Sequence, residues 1–294
     1  MIDLHLHSTH SDGAETPSAL VRRGARAGLS AMALTDHDTM DGSEEFPQAC
    51  REAGMTGIVG IELSCDTEEN DGALHILGYG MNPEDPEVDE SLTRVRESRN
   101  WRNEQILEKL NGLGLELEWS EVQACAGEDV IGRVHFAQAL INRDYVFTVE
   151  EAFEKYLSKD APAYVDRYGL YPEEGIRMIT RAGGAAVLAH PFSWLDDEAE
   201  LERSLIRFKR AGLYGIEVFH SAHTPEMSVT LMRLANRLGL KMTGGSDYHG
   251  EPREERASFR ALGALAVPDH FLPPLLDAID GARNPQVFLG EKHD

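Results

Sequence analysis

Imidazole and carboxylate groups recur along this chain where a folded backbone could gather them. The segment Met1-Ile2-Asp3-Leu4-His5-Leu6-His7 alternates as a strand does, with Asp3, His5 and His7 on one face and Ile2, Leu4 and Leu6 on the other. Two imidazoles two residues apart on one strand face are close enough to share a metal ion. Asp12 follows in the turn Ser11-Asp12-Gly13. Thr35-Asp36-His37 closes a second apolar segment, Glu62 comes near the end of a third, and His75 stands in Leu74-His75-Ile76-Leu77. Further on, Val187-Leu188-Ala189-His190-Pro191 ends a strand-like segment in histidine, and Gly244-Gly245-Ser246-Asp247-Tyr248-His249 ends another in an Asp-x-His pair. These six histidines and three carboxylates offer nitrogen and oxygen but no thiolate. Such a set suits Mn²⁺, Fe²⁺ or Zn²⁺ and is unlike the cysteine sites of structural zinc. Each position alone has a plainer reading: His75 or His190 as a hydrogen-bonded core histidine, Asp12 as a turn former. The plainer reading leaves unexplained why all of them fall near the ends of successive strands.

The elements that must position them alternate in kind. Strand-like stretches at 1–7, 31–35, 56–64, 185–190, 215–219 and 241–246 are separated by helical ones at 17–28, 43–53, 172–182, 198–211 and 225–238. This alternation predicts parallel strands and an α/β architecture. In an α/β barrel the loops after the strands meet at one face, where distant residues can converge. Gly28, Gly54, Gly183, Gly212 and Gly239 fall where helices should stop. The alternation lapses at about residue 82, in the turn-rich acidic run Asn82-Pro83-Glu84-Asp85-Pro86-Glu87. Helical sequence then covers 90–113, with shorter amphipathic stretches at 134–143 and 149–157. We read 82–165 as a mainly helical insertion into a body formed by 1–81 and 166–294.

Composition narrows the function classes. With 294 residues, 41% hydrophobic and 27% charged, the chain is that of a soluble globular protein, not a disordered one. Lys and Arg number 28 against 51 Asp and Glu, a net charge of −23 that argues against coating long duplex nucleic acid. No apolar run reaches the length of a membrane span, so no membrane partner is expected. Cys50, Cys65 and Cys125, odd in number and scattered, do not make a disulfide framework and suit a reducing compartment. The opening MIDLHLHSTHSDG has neither the basic region nor the apolar core of a secretory signal, so a cytoplasmic location is expected. The charged run at 251–256 reads as a solvated loop. Oligomeric state is left open.

Taken together, His5-Leu6-His7, Asp12, Thr35-Asp36-His37, Glu62, His75, Ala189-His190-Pro191 and Asp247-Tyr248-His249 resemble the polymerase and histidinol phosphatase (PHP) family of the amidohydrolase superfamily. The resemblance spans residues 1–80 and 165–250. Within the family the chain is most similar to the nucleoside 3′,5′-bisphosphate phosphatases, through Gly132-Arg133-Val134-His135-Phe136-Ala137 and the Arg99–Arg102 region. The resemblance implies a distorted (β/α)₇ barrel with a small, mainly helical inserted domain, and up to three divalent ions per chain. Carried over residue by residue, it puts one ion on His5, His7, Glu62 and Asp247. A second would sit on Glu62, His75 and His190, and a third on Asp12, His37 and His249. Family habit favours manganese, with zinc and iron as alternatives.

The implied activity is that of a metal-dependent phosphatase removing the 3′-phosphate from nucleoside 3′,5′-bisphosphates such as phosphoadenosine phosphate. Short oligonucleotides cut stepwise from the 5′ end are a second expected substrate. Three divalent ions on three carboxylates leave a local charge of roughly +3, which would hold a phosphate dianion on an otherwise acidic protein. Metal coordination brings the pKa of water towards ~7, so attack in line by a metal-bound hydroxide is the expected mechanism. The leaving alkoxide needs a proton, for which His223 and His135 are the candidates.

Arg94, Arg96, Arg99 and Arg102 fall within nine residues of the insertion. They could be a solvated face paired with Glu97, Glu104 and Glu108. The sharper reading is that Arg99, Asn100 and Arg102 bind a second phosphate, with Arg133 and His135 as a further clamp. Holding the remote phosphate on the insertion would position the reactive one on the metals. Trp101, Tyr168, Phe192 and Trp194 are available to stack on a base or to pack internally. One rival is a histidinol-phosphate phosphatase, disfavoured because a cationic substrate amine would prefer carboxylates to arginines. Another is a non-catalytic PHP-type structural module of the kind found in bacterial polymerases. That reading predicts degraded ligands and a far longer chain.

Overall fold

Seven strands follow one another in chain order around a barrel: β1 (Ile2–Asp3), β2 (Ala31–Leu34), β3 (Thr56–Cys65), β4 (Leu74–Tyr79), β5 (Ala185–Leu188), β6 (Gly215–His220) and β7 (Lys241–Gly245). The computed structural model describes residues 1–67, 74–126, 131–166, 168–250, 262–280 and 284–290, and the 251–256 run lies outside them. The ring closes where the chain beyond β1 meets β7, through Leu4 N–H to Gly244 O at 3.2 Å and Asp247 N–H to His5 O at 3.0 Å. A short strand, β8 (Val287–Phe288), pairs with the start of β3. The predicted strand over 1–7 is regular only at its beginning. Beyond Asp3 it is held by single bonds, such as His7 N–H to Tyr248 O at 3.1 Å.

Parallel pairing holds for β1–β2–β3 and for β5–β6–β7. The strand bearing His75 corrects the all-parallel expectation: β4 is antiparallel to both β3 and β5. Only residues 66–73 join β3 to β4, and a parallel crossover takes a dozen residues or more.

Helices α1 (Pro17–Arg26) and α2 (Glu45–Ala53) lie between the first three strands in the chain. Thr16 caps α1 by accepting the N–H of Ala19, and Pro17 occupies the first turn, where a missing N–H does no harm. The numbering passes over the insertion to α7 (Pro172–Arg181), α8 (Glu198–Ala211), α9 (Pro225–Leu238) and α10 (Leu272–Ala278). Gly212 and Gly239 close α8 and α9 in left-handed conformation, as their positions predict. One apolar cluster joins Ile2, Leu4, Ala33, Ile58, Tyr79, Val187 and Leu275.

The chain divides into two compact units. One is formed from Met1–Glu68, Gly72–Glu90 and Leu170–Asp294, the other chiefly from Ser91–Gly169. The second unit contains most of α3 (Pro86–Gly112), then α4 (Trp119–Ala126), α5 (Arg133–Asn142) and α6 (Val149–Ala152), which passes into a π turn over Phe153–Leu157. It has its own core of Ile106, Leu110, Val122, Phe136, Leu140 and Leu157. Helix α4 has no counterpart in the sequence reading, because two turns of helix are too short to display a clear apolar period. Among the described residues no helix is long and apolar enough to cross a membrane, and no disulfide joins Cys50, Cys65 or Cys125.

Candidate metal centre

The chain beyond β1 carries His5 and His7, both without exposed surface, into the carboxyl end of the barrel. It then turns back at Gly13, where a Cβ would stand 2.2 Å from the carbonyl oxygen of His7. Only glycine permits that approach, and it brings Asp12 Oδ1 within 3.0 Å of His7 Nδ1. Asp36 ties the next loop to this one by accepting the Ser8 N–H at 2.7 Å and the Ser11 hydroxyl at 2.6 Å. His37 follows it. His190 leaves β5 at φ 23 and Asp247 leaves β7 at φ 55. Such values are uncommon for residues with a Cβ and concentrate at functional sites.

Glu62, on β3, is the hub. Its Oε2 lies 3.0 Å from His5 Nε2, 3.0 Å from His7 Nε2 and 3.4 Å from His37 Nε2. Its Oε1 lies 2.7 Å from His75 Nδ1 and 2.9 Å from His190 Nε2. Asp247 adds Oδ1 at 3.2 Å from His7 Nε2, and His249 Nε2 comes within 3.3 Å of Asp12 Oδ2. All nine positions singled out in the sequence therefore meet. Among the described residues, atoms able to ligate a cation lie within 4.8 Å of one another in four sets: His7, Asp12, His37 and His249; His5, His7, Glu62 and Asp247; His37, Glu62 and His75; and His5, Glu217 and His220.

The charges are mutually dependent. Burial would raise the Glu62 carboxyl, yet the neighbouring His37, His5 and His75 hold it well below the ordinary carboxylate range. Asp12 and Asp247 are depressed in the same way, against their burial, chiefly by His37 and by His5 respectively. Burial pushes His37 down to about 4. It also works against a charge on His5 and His7, but the surrounding carboxylates outweigh it and lift both well above the ordinary histidine value.

This arrangement fits divalent cations better than it fits hydrogen bonding alone. One carboxylate cannot accept from five imidazoles with good geometry. His7 Nε2 and Asp247 Oδ1, both buried, make no hydrogen bond although they stand 3.2 Å apart. Two ligands each about 2.1 Å from a shared ion stand about 3.0–3.4 Å apart, which is the spacing found here. The candidate ligands His37, Glu62, His75, His190, Asp247 and His249, with Ser193, His220, Ser221 and Ala222, line a cavity of 270 Å³.

Comparison with known proteins agrees with this geometry. The model of the PHP domain matches residues 3–159. A 3′,5′-nucleoside bisphosphate phosphatase of Chromobacterium violaceum is 34% identical over 254 residues, covering 84% of this chain and 87% of its own. The chain belongs to the PHP family. A 5′-3′ exoribonuclease of Haemophilus influenzae is 32% identical, with 84% of this chain and 89% of the relative covered. Among solved structures, an amidohydrolase from Chromobacterium violaceum with bound sulfate superposes with a TM-score of 0.76 at 31% identity, covering 98% of this chain and 97% of its own. A Bifidobacterium adolescentis protein described as a candidate metal-dependent phosphoesterase gives 0.74 at 29%, covering 94% and 96%. The fold is thus the distorted barrel of PHP metal-dependent phosphoesterases.

Two residues of this PHP site escaped the sequence reading. Glu217, in the middle of β6, and His220, at its end, face His5 and Asp247. Glu217 Oε1 lies 3.0 Å from His5 Nδ1, and His220 Nε2 lies 3.3 Å from Asp247 Oδ2. A lone carboxylate inside the apolar run Gly215-Ile216-Glu217-Val218-Phe219 was the available signal, the same one that marks Asp3 on β1. His223 stands beside His220, ring centroids 5.3 Å apart, with Nδ1 donating to Val218 O at 3.0 Å and Nε2 buried without a partner. Burial holds it below the ordinary histidine value. Phe192 meets its ring edge-on, and Trp194 is buried against Phe208.

In the second unit Arg99 and Arg102 are buried, while Asn100 is exposed. Arg102 donates from Nε and Nη2 to Asn103 Oδ1, at 3.2 and 2.9 Å. Arg133 donates to Leu157 O at 3.2 Å, with its guanidinium 5.6 Å from the rings of Phe153 and Tyr164. His135 Nδ1 accepts the Gly132 N–H at 3.0 Å, which leaves the ring hydrogen on Nε2. Tyr168 carries the Arg94 guanidinium 3.7 Å over its ring, and Trp101 is half exposed.

Proposed function

We propose that this PHP protein removes the 3′-phosphate from nucleoside 3′,5′-bisphosphates, using manganese in a reducing cytoplasm. The observation that carries the reading is the convergence of five imidazoles on Glu62 at the wall of a small cavity. At 270 Å³ the cavity is below the roughly 300–1,000 Å³ of pockets that enclose drug-sized ligands, so it suits the reacting group rather than a whole nucleotide.

His5, His7, Glu62 and Asp247 would hold one ion, Glu62, His75 and His190 a second, and Asp12, His37 and His249 a third. When bound, the ions supply positive charge for the phosphoryl oxygens and make water acidic enough to act as the nucleophile at neutral pH. Ser193 and Ser221, on the cavity wall, offer hydroxyl donors to the phosphoryl oxygens. His223 is assigned the proton for the leaving 3′-oxygen, with His135 as the alternative donor. Arg99, Asn100, Arg102 and Arg133 are assigned to the substrate's other phosphate, since guanidinium groups match phosphate oxygens in pairs.

Short oligoribonucleotides, taken from the 5′ end, are a second substrate class, favoured by the similarity to the Haemophilus influenzae exoribonuclease. The deciding experiment measures, with manganese present, phosphate released from 3′,5′-bisphosphates, 2′,5′-bisphosphates and histidinol phosphate, and mononucleotide released from a dinucleotide. Preference for the 3′,5′-bisphosphate supports the reading. Faster release from histidinol phosphate would replace it.

A further inference from the structure

Glu217 has no exposed surface. A carboxylate persists in such a place only where hydrogen bonds replace the water it has lost. Each of its oxygens is engaged by a different residue. Oε1 is 3.0 Å from His5 Nδ1, and Oε2 accepts the backbone N–H of His190 at 2.9 Å. An ionised carboxylate can only accept, so the ring hydrogen of His5 sits on Nδ1. Its Nε2, the nitrogen left to exchange a proton for a cation, points at Glu62 Oε2, 3.0 Å away, and Asp247 Oδ1, 3.4 Å away. The His190 bond restrains a backbone held at φ 23, just before the imidazole that meets Glu62 Oε1.

We infer that Glu217 is a positioning residue of the metal centre, fixing with one oxygen the His5 tautomer that can bind a cation and pinning the backbone of His190 with the other. The inference rests on the metal-centre reading given above. A rival role, in which Glu217, His5 and His220 hold an ion of their own, conflicts with the bonds present. His220 Nδ1 accepts the Ala222 N–H at 3.1 Å, which puts its hydrogen on Nε2 towards Asp247 and leaves no lone pair for an ion. His5 would also have to give up its bond to Glu217.

Glu217→Gln isolates the effect because glutamine has one acceptor where glutamate has two. If its oxygen meets His5, its NH₂ faces the His190 N–H, and the reverse placement sets NH₂ against His5 Nδ1–H. Partners of this kind typically change metal affinity by about 10–100-fold. The test is Mn²⁺ titration of chelator-stripped wild type and E217Q, with circular dichroism to establish that both are folded. The expected result is binding about 10–100-fold weaker in E217Q. Long-range ¹H–¹⁵N spectra of the Zn²⁺-loaded wild type give a second measurement, which stands even if E217Q does not fold. They should show His5 protonated at Nδ1. Unchanged Mn²⁺ affinity in folded E217Q, or His5 protonated at Nε2 in the wild type, would overturn the inference alone. A wild type that binds no Mn²⁺ would overturn the metal-centre reading and the inference together.

Discussion

His190 Nε2 lies 2.9 Å from Glu62 Oε1, although 128 residues separate the two in the chain. Glu62 also receives His5, His7, His37 and His75, so its charge is the point on which the constellation turns. Glu62→Gln keeps the shape and removes the charge. We predict that it loses most of its bound manganese and more than about 100-fold of its turnover. Metal content per chain and phosphate release, measured on the same sample, check this. Normal metal content in the variant would remove Glu62 from its central place.

Gly245 tests the packing that delivers the ligands. A Cβ there would stand 2.4 Å from the His5 backbone nitrogen and 2.8 Å from its Cα. Gly245→Ala must therefore push β7 from the chain that carries His5. We expect a loss of roughly 1–3 kcal/mol in stability and weaker metal binding. Gly112, at the end of α3, has open space around it, and Gly112→Ala should leave the thermal midpoint nearly unchanged. A midpoint for Gly245→Ala equal to that of the wild type would contradict the close packing.

Much of this architecture is legible in the sequence because strand and helix periods alternate cleanly on either side of the insertion. The nine candidate positions stand out for a related reason: a charged or imidazole group near the end of an apolar strand has no role in packing. The direction of β4 is not legible, since the Leu74–Tyr79 pattern alternates identically in either sense and only the short link from β3 decides it. Glu217 is hidden by its place mid-strand, where its value depends on which face of β6 turns inward. Arg99 and Arg102 lie on a helix whose charged pattern reads as solvated, and the burial of both guanidinium groups emerges only once α3 packs.

The arginines carry a selective prediction. Arg99→Ala should lower kcat/KM for adenosine 3′,5′-bisphosphate by about 2 kcal/mol, roughly 30-fold. It should leave p-nitrophenyl phosphate, which has no second phosphate, within a few-fold of the wild type. Equal losses on both substrates would remove the assignment of Arg99 to the remote phosphate.

The proton donor can be read from pH dependence. Burial lowers His223 from its ordinary value of 6.5, so the folded protein takes up its proton later than the unfolded chain does as the pH falls. Its contribution to stability is thus present above pH 6.5 and is lost as the pH drops below that value. As a general acid it works only when protonated, so kcat/KM should decline as the pH rises through a value below 6.5. His223→Ala should remove this limb and lower the rate by about 100-fold, while His135→Ala should preserve the limb. A limb that survives in His223→Ala and vanishes in His135→Ala would transfer the role.

The most direct test of the account follows phosphate release from adenosine 3′,5′-bisphosphate as Mn²⁺ is returned to chelator-stripped protein, with bound metal counted at each step. The account predicts negligible release from the stripped protein, and activity that rises with occupancy to a plateau at up to about three ions per chain. Full release from protein shown to contain no metal would contradict it.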